Sequence, residues 1–217
     1  MARSVREIGD FVTAGAKGLS SDAHFFEEAL NPQKIRDLLD KTSHHSAVGK
    51  AERIQGMKFL IAQVSKGQDV SEFYPFVVKN TITELVELKK MVYLYILFYA
   101  DHNDECREMA LLSINSFQKD LDNSNELVRS MALRVMCSIR VVDIVPLQMM
   151  AVQKAAADSS PYVRKSAALA IAKVYSLDRS QREPLSAIIS LLIGDHSTLV
   201  VASAMAAFVE VCPRDCE

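Results

Sequence analysis

Apolar residues recur at three- and four-residue spacing along most of this chain. Ile54, Met57, Ile61 and Val64 form one such series; Leu85, Leu88, Val92, Tyr95, Ile96 and Tyr99 form a second; Val128, Met131, Val135 and Ile139 form a third. That spacing is the period of one helix face, whereas strands alternate every second residue. The pattern predicts helices over about 47–66, 72–81, 85–100, 104–119, 127–140, 143–157, 162–175, 179–193 and 199–211, with shorter ones over 22–30 and 32–40. Polar turns separate them: 41–46, 101–104, 122–125 and 158–161. Gly67 lies where a helix end favours glycine, Asp143 is a candidate cap, and Pro75, Pro146 and Pro161 fall in first turns, where proline is tolerated. The run after Lys90 is apolar nearly all round, so the helix over 85–100 is expected to be buried on most sides.

The helices come in a repeat. Leu127–Ile139 (LVRSMALRVMCSI) is echoed at Tyr162–Val174 (YVRKSAALAIAKV). Matching starts at Ala47, Leu85, Leu127, Tyr162 and Leu199 give intervals of 38, 42, 35 and 37 residues. Two helices per interval of about 40 residues is the signature of HEAT and armadillo arrays. The predicted fold is therefore all-α, an α-α superhelix, a HEAT- or armadillo-like right-handed solenoid over residues 22–217. Residues 1–21 lack an apolar series and are expected to form a flexible amino-terminal arm. The unit opening at Leu199 has a single helix, so it reads as an incomplete fifth repeat. An apolar last helix without a polar cap suggests a fragment of a longer protein, or one that leans on a neighbour.

Composition narrows the function. The 217 residues are 49% hydrophobic and 24% charged with a formal charge of -2, which argues against a nucleic-acid binder acting through a basic excess. The longest apolar run, Met91–Ala100, is ten residues, well short of the roughly 20 a membrane helix needs, so membrane association is expected to be peripheral. Only Gly194 of the seven glycines lies beyond Gly67, which disfavours strand-rich folds and phosphate-cradling loops. Gly15–Gly18 has the spacing of a GxxG loop without the strand and helix such a loop needs, and reads as linker.

Catalytic and metal-binding signals are absent from the pattern. The five histidines (His24, His44, His45, His102 and His196) show no helical metal-ligand spacing. Cys106, Cys137, Cys212 and Cys216 include no CxxC pair and read as free thiols, two of them on helices. No nucleophile elbow, P-loop or dinucleotide fingerprint is present, and no carboxylate is expected on an apolar face. A binding scaffold without catalytic residues, cofactor or metal is the reading that remains. Arg129 and Arg164 take equivalent repeat positions behind turns containing Asp122 and Asp158. They are expected to pair with turn aspartates of their own or a neighbouring repeat; the alternative is a basic ladder for an acidic partner. Leu111 and Ile114 lie one turn apart on the helix over 104–119, and periodicity alone places them in the core.

Several long segments together resemble the trunk of a β-adaptin, the large β subunit of heterotetrameric vesicle-coat adaptor complexes. They are QDVSEFYPFVVKN (Gln68–Asn80), LVELKKMVYLYILFYA (Leu85–Ala100), ALLSINSFQKDL (Ala110–Leu121), NELVRSMALRVMCSIRV (Asn125–Val141) and SPYVRKSAALAIAKVYSLD (Ser160–Asp178). ALLSINSFQKDL and SSDAHFF (Ser20–Phe26) resemble the third adaptor complex more than the endocytic or Golgi clathrin classes. Pro32–Gly49 is only loosely similar, and Cys212–Glu217 departs where the family continues into further repeats.

The resemblance implies a structural role in vesicle-mediated transport and cargo sorting between Golgi or endosomes and lysosome- or vacuole-type organelles. It implies the second large, the medium and the small adaptor subunits as partners. It also implies an Arf-family GTPase docking at the positions of Leu111 and Ile114, clathrin contact only through regions outside this chain, and a place on the cytosolic face of Golgi and endosomal membranes. A different HEAT scaffold, karyopherin-like or phosphatase-associated, is the rival reading.

Overall fold

The computed structural model describes residues 31–40, 47–100 and 102–212. The predicted arm over 1–21, the helix over 22–30, the turn over 41–46, and Cys216 with Pro213 lie outside the described residues. Eleven α-helices and four short 3-10 turns make up the described chain, which contains no strand. The chain divides into two compact units, Met1–Phe76 and Val77–Glu217.

The first unit is built on α1 (Pro32–Asp40) packed against α2 (Ala47–Ser65). Ile35 and Leu39 of α1 and Met57, Phe59 and Leu60 of α2 are buried. Gly56 sits at their closest approach: a Cβ there would lie 3.2 Å from Leu38 Cβ. The end of α2 depends on Gly67, whose φ of +75° lets its N–H bond to Val64 O at 2.9 Å while the Gln68 N–H reaches Gln63 O at 3.1 Å. That paired pattern closes a helix and needs a left-handed residue. Past a 3-10 turn (Ser71–Phe73), α3 (Tyr74–Lys79) begins; the division between the units falls within it.

The second unit is a two-layer stack. The 3-10 turn Asn80–Ile82 leads into α4 (Val86–Tyr99), followed by α5 (Asp104–Leu112), α6 (Ile114–Asp120), α7 (Glu126–Met136), α8 (Val145–Ala156), α9 (Pro161–Leu177), α10 (Arg182–Ile193) and α11 (Thr198–Val211). The helices α4, α7, α9 and α11 pack one on the next as one layer, and α8 packs with α10 in the other. The repeated V-x-x-x-A register explains the stacking. Val128 and Ala132, Val163 and Ala167, and Val200 and Ala204 are all buried, and the alanines let successive helices approach closely. Among the described residues no strand interrupts the repeat of paired helices, and the fold is an all-α helical solenoid.

The elements depart from the periodic pattern where polar groups redirect the backbone. One helix was expected over 104–119; two are present, meeting at the buried Ser113. The Ser113 N–H bonds to Ala110 O and its hydroxyl bonds back to Met109 O, a competition with the helical ladder that bends helices. The helix expected to reach residue 140 stops at Met136, because the buried Gln148 amide of α8 donates to Met136 O and Ile139 O, each at 2.9 Å. Asp143 does not cap α8; it lies in a 3-10 turn, Val142–Ile144, and α8 starts at Val145 with Pro146 in its first turn. The segments over 72–81 and 179–193 likewise open through 3-10 turns. On α4, Leu88, Lys89, Val92, Tyr93, Tyr95, Ile96 and Tyr99 are buried, so most of the helix is covered as expected and only one stripe, with Leu94 and Phe98, stays exposed.

Candidate interaction surfaces

Two arginine rungs tie consecutive repeats of the second unit together. Arg129, near the start of α7, donates from Nε and Nη2 to the two carboxylate oxygens of Asp158, both at 2.8 Å. Its Nη1 bonds back to the carbonyls of Asn123 and Ser124 in its own turn. Arg164, near the start of α9, repeats the arrangement one unit later. It reaches Asp195 at 2.5 and 3.0 Å, and its Nη1 bonds to the carbonyls of Asp158 and Ser159. Each guanidinium thus satisfies turn carbonyls behind it and a carboxylate ahead of it, the forked geometry that suits arginine and not lysine.

The receiving aspartates shape their own turns. Asp158 Oδ1 accepts the Ser160 N–H and Asp195 Oδ1 accepts the Ser197 N–H, each at 2.8 Å. Burial works against the Asp158 charge, but the bonds from Arg129 and from the Ser160 N–H outweigh it and hold the carboxyl below the usual range. Asp195 is held low by Arg164 first and by the Ser197 N–H second.

Asp122 is not a rung. Counting back from Arg129 as from Arg164, the residue matching Asp158 is Asn123, whose Oδ1 accepts the Asn125 N–H at 2.9 Å. The preceding repeat sends no arginine forward to that turn, because it carries Glu87 where Arg129 and Arg164 stand. Asp122 instead takes a bond from Lys154 of α8 at 2.5 Å, and both side chains are largely exposed. At the other end Val201 replaces the arginine in α11, so the rungs stop at Asp195.

Leu111 and Ile114 do not share a helix face. The bend at Ser113 puts Leu111 on α5 and Ile114 at the start of α6. Ile114 turns inward and is 8% exposed, Leu111 is half-buried, and neighbouring Leu112 is 79% exposed. The apolar surface here is therefore Leu111 with Leu112.

A buried polar cluster between α4 and α6 has no counterpart in the sequence reading. Lys89 Nζ donates to Asp120 Oδ1 at 2.8 Å and Oδ2 at 2.6 Å, and Tyr93 donates its hydroxyl to the same carboxylate. Both charged side chains are nearly inaccessible. Burial, then the bond and charge of Asp120, push the Tyr93 hydroxyl far above its ordinary pKa. A carboxylate does stand on an apolar face, contrary to expectation, but both its oxygens are taken by Lys89 and Tyr93. The available signal was spacing: Lys89 and Tyr93 lie one turn apart inside the apolar series of α4.

Among the described residues no group of three His, Cys, Asp or Glu could hold a metal ion. Cys106, Cys137 and Cys212 are buried, and burial pushes the Cys137 thiol up to about 12. No helix of the described residues is long and apolar enough to cross a membrane. The described chain therefore offers helix faces, rungs and grooves.

Comparison with known proteins fits that inventory. Residues 27–217 match the family described as the adaptin N terminal region. The chain is 43% identical over 194 residues to the AP-3 complex subunit beta of Dictyostelium discoideum, covering 89% of this chain and 17% of that protein. It is 49% identical over 207 residues to the AP-3 complex subunit beta-1 of Mus musculus, covering 95% of this chain and 18% of the relative. The chain therefore spans less than a fifth of the length of these curated relatives. Its fold matches a chain in a homology model of the full-length AP-3 complex in an intermediate open conformation. That match has a TM-score of 0.63 and 28% identity, over 97% of this chain and 35% of that one.

Proposed function

This chain belongs to the adaptin N-terminal family, and from that premise we propose that it is a non-enzymatic trunk portion of a vesicle-coat adaptor β subunit. In this reading, residues 22–217 serve as trunk and 1–21 as arm. The trunk is a scaffold for vesicle-mediated protein transport and cargo sorting between Golgi or endosomes and lysosome- or vacuole-type organelles. The observation that carries it is the adaptin match across the stacked repeats, at 43% and 49% identity to AP-3 β subunits. The rungs support a scaffold role, since each joins one repeat to the next.

The partners on this reading are the second large subunit, the medium subunit and the small subunit, with clathrin contact left to regions outside this chain. The assembly works on the cytosolic face of Golgi and endosomal membranes as a peripheral coat. Co-purification tests it: a tagged chain expressed in cells brings down the other adaptor subunits. Recovery of nuclear-transport or phosphatase subunits in their place would support the rival HEAT scaffold.

An Arf-family GTPase is the further partner, docking around Leu111 and Ile114. Leu111, with Leu112 beside it, offers apolar side chains to solvent, and Ile114 supports the bend beneath them. Leu111→Asp is expected to weaken binding of the GTP-loaded form about tenfold or more, with the GDP-loaded form weak throughout. Unchanged binding in a calorimetric titration removes this site and leaves the coat reading intact.

A further inference from the structure

The elbow formed by α5 and α6 is held by few elements. Among the described residues α5 packs chiefly on α6, and α6 packs on α7. The helices α4 and α6 share little close backbone approach, and side chains bridge them instead. Lys89 and Tyr93, one turn apart on α4, face Phe117 and Asp120, one turn apart on α6. Lys89 Nζ donates to both oxygens of Asp120, at 2.8 and 2.6 Å, and the Tyr93 hydroxyl donates to the same carboxylate. The Tyr93 ring meets Phe117 edge-on, with centroids 5.4 Å apart, and the Lys89 ammonium lies 6.0 Å from the Tyr93 centroid.

Stability alone is a poor reason for this arrangement. Asp120 is the last residue of α6, where the helix carbonyls disfavour negative charge. It is 6% exposed and Lys89 is 5% exposed, and a pair so buried gains little over apolar residues of similar size. What the cluster adds is direction. Three hydrogen bonds occupy both carboxylate oxygens, so α6 can neither turn nor slide along α4 without breaking one. An apolar contact tolerates both movements, since repacked cores lose rigidity before they lose stability.

The setting of α6 is carried to the surface beside it. Ser113 ends α5 and begins α6, and its hydroxyl bonds back to Met109 O in the last turn of α5 at 3.4 Å. Leu111 and Leu112 lie on that same turn. A rotation of α6 therefore re-aims both leucines.

We propose that Lys89, Tyr93 and Asp120 are positioning residues for the Leu111–Leu112 surface. They hold α6 at one rotation against α4 and so fix the direction in which the elbow presents its leucines to a partner. All three are buried, so they act through the elbow and not by touching the partner. The inference rests on the reading of that surface as the GTPase contact and adds the device that keeps it in register.

Two measurements on the 217-residue chain test this, with Lys89→Met, Asp120→Leu as the main variant. In hydrogen exchange, the amides of α5 are expected to exchange about tenfold or more faster, while those of α10 keep their rates. In calorimetric titration, a GTP-loaded Arf-family GTPase is expected to bind about tenfold or more weaker, as a contact surface does when its support is loosened. Tyr93→Phe keeps the ring on Phe117 and removes one bond, so it should fall between native and double variant in both. Arg164→Ala weakens a rung away from the elbow and should leave the GTPase affinity unchanged, which separates positioning from general loss of stability. Unchanged α5 exchange in the double variant overturns the proposal, whether or not the GTPase binds. Faster exchange with unchanged affinity overturns it as well, because the elbow then moves without consequence. Failure of the native chain to bind the GTPase removes the docking reading, and the exchange arm still decides whether the cluster holds the elbow. Should the double variant not fold, Tyr93→Phe carries both measurements with the same overturning results.

Discussion

Arg129 on α7 holds Asp158 with two bonds of 2.8 Å from one repeat to the next, 29 residues along the chain. The pair is mostly buried and the fork is complete, so it belongs with strong, geometrically specific contacts and not with surface ion pairs. Arg129→Ala leaves the Asp158 carboxylate with only its turn bond and should cost about 1–3 kcal/mol. Arg129→Lys should recover only part, because a single ammonium cannot span both oxygens and the two turn carbonyls. Asp122→Asn, at the exposed Lys154 pair, should cost about 0–1 kcal/mol. Urea unfolding of the three variants checks the order; equal losses would show that the rung adds nothing special.

Acid should loosen the stack through the same contacts. Asp158 and Asp195 are both held below the ordinary carboxylate pKa in the folded chain. A group lowered by folding adds stability that is fully present above its unfolded value, near 4, and is lost as pH falls through its folded value. The melting temperature should therefore be flat from about pH 7 to 5 with respect to these groups and drop below about pH 4. Asp195→Asn should reduce the size of that drop, which melts at successive pH values would read.

Lys89 and Asp120 make a different prediction, since both are buried. Removing one partner strands the other charge, so Lys89→Met alone should cost about 3–5 kcal/mol. Replacing both, as Lys89→Met with Asp120→Leu, should recover much of that loss, because a buried pair gains little over well-packed apolar residues. Denaturant midpoints of the two singles and the double form the cycle. A double variant as unstable as the sum of the singles would show no coupling between them.

Gly67 separates backbone from side-chain effects. Its φ is +75°, yet an added Cβ would meet nothing within 4 Å. Gly67→Ala should cost about 1–2 kcal/mol through left-handed backbone strain alone. Gly56→Ala is the opposite case: ordinary helical backbone, but a Cβ 3.2 Å from Leu38 Cβ, so its loss comes from pushing α1 away. Circular-dichroism melts of each variant measure the two effects.

The chain's own pattern determined where most helices lie. Repeat starts expected at Ala47, Leu85, Leu127, Tyr162 and Leu199 stand at Ala47, Val86, Glu126, Pro161 and Thr198. Those positions depend on apolar period, prolines and turn residues, which are local. The tertiary structure alone decided what each side chain meets. Arg129 bypasses the nearby Asp122 for Asp158, Ile114 turns inward past the bend at Ser113, Lys89 is buried against Asp120, and α7 ends where Gln148 takes its carbonyls. Each of those outcomes depends on the offset and rotation between packed helices. Periodicity along a single chain carries no information about that offset, so it could not tell that each arginine reaches forward to the aspartate of the next turn and not back to the carboxylate of its own.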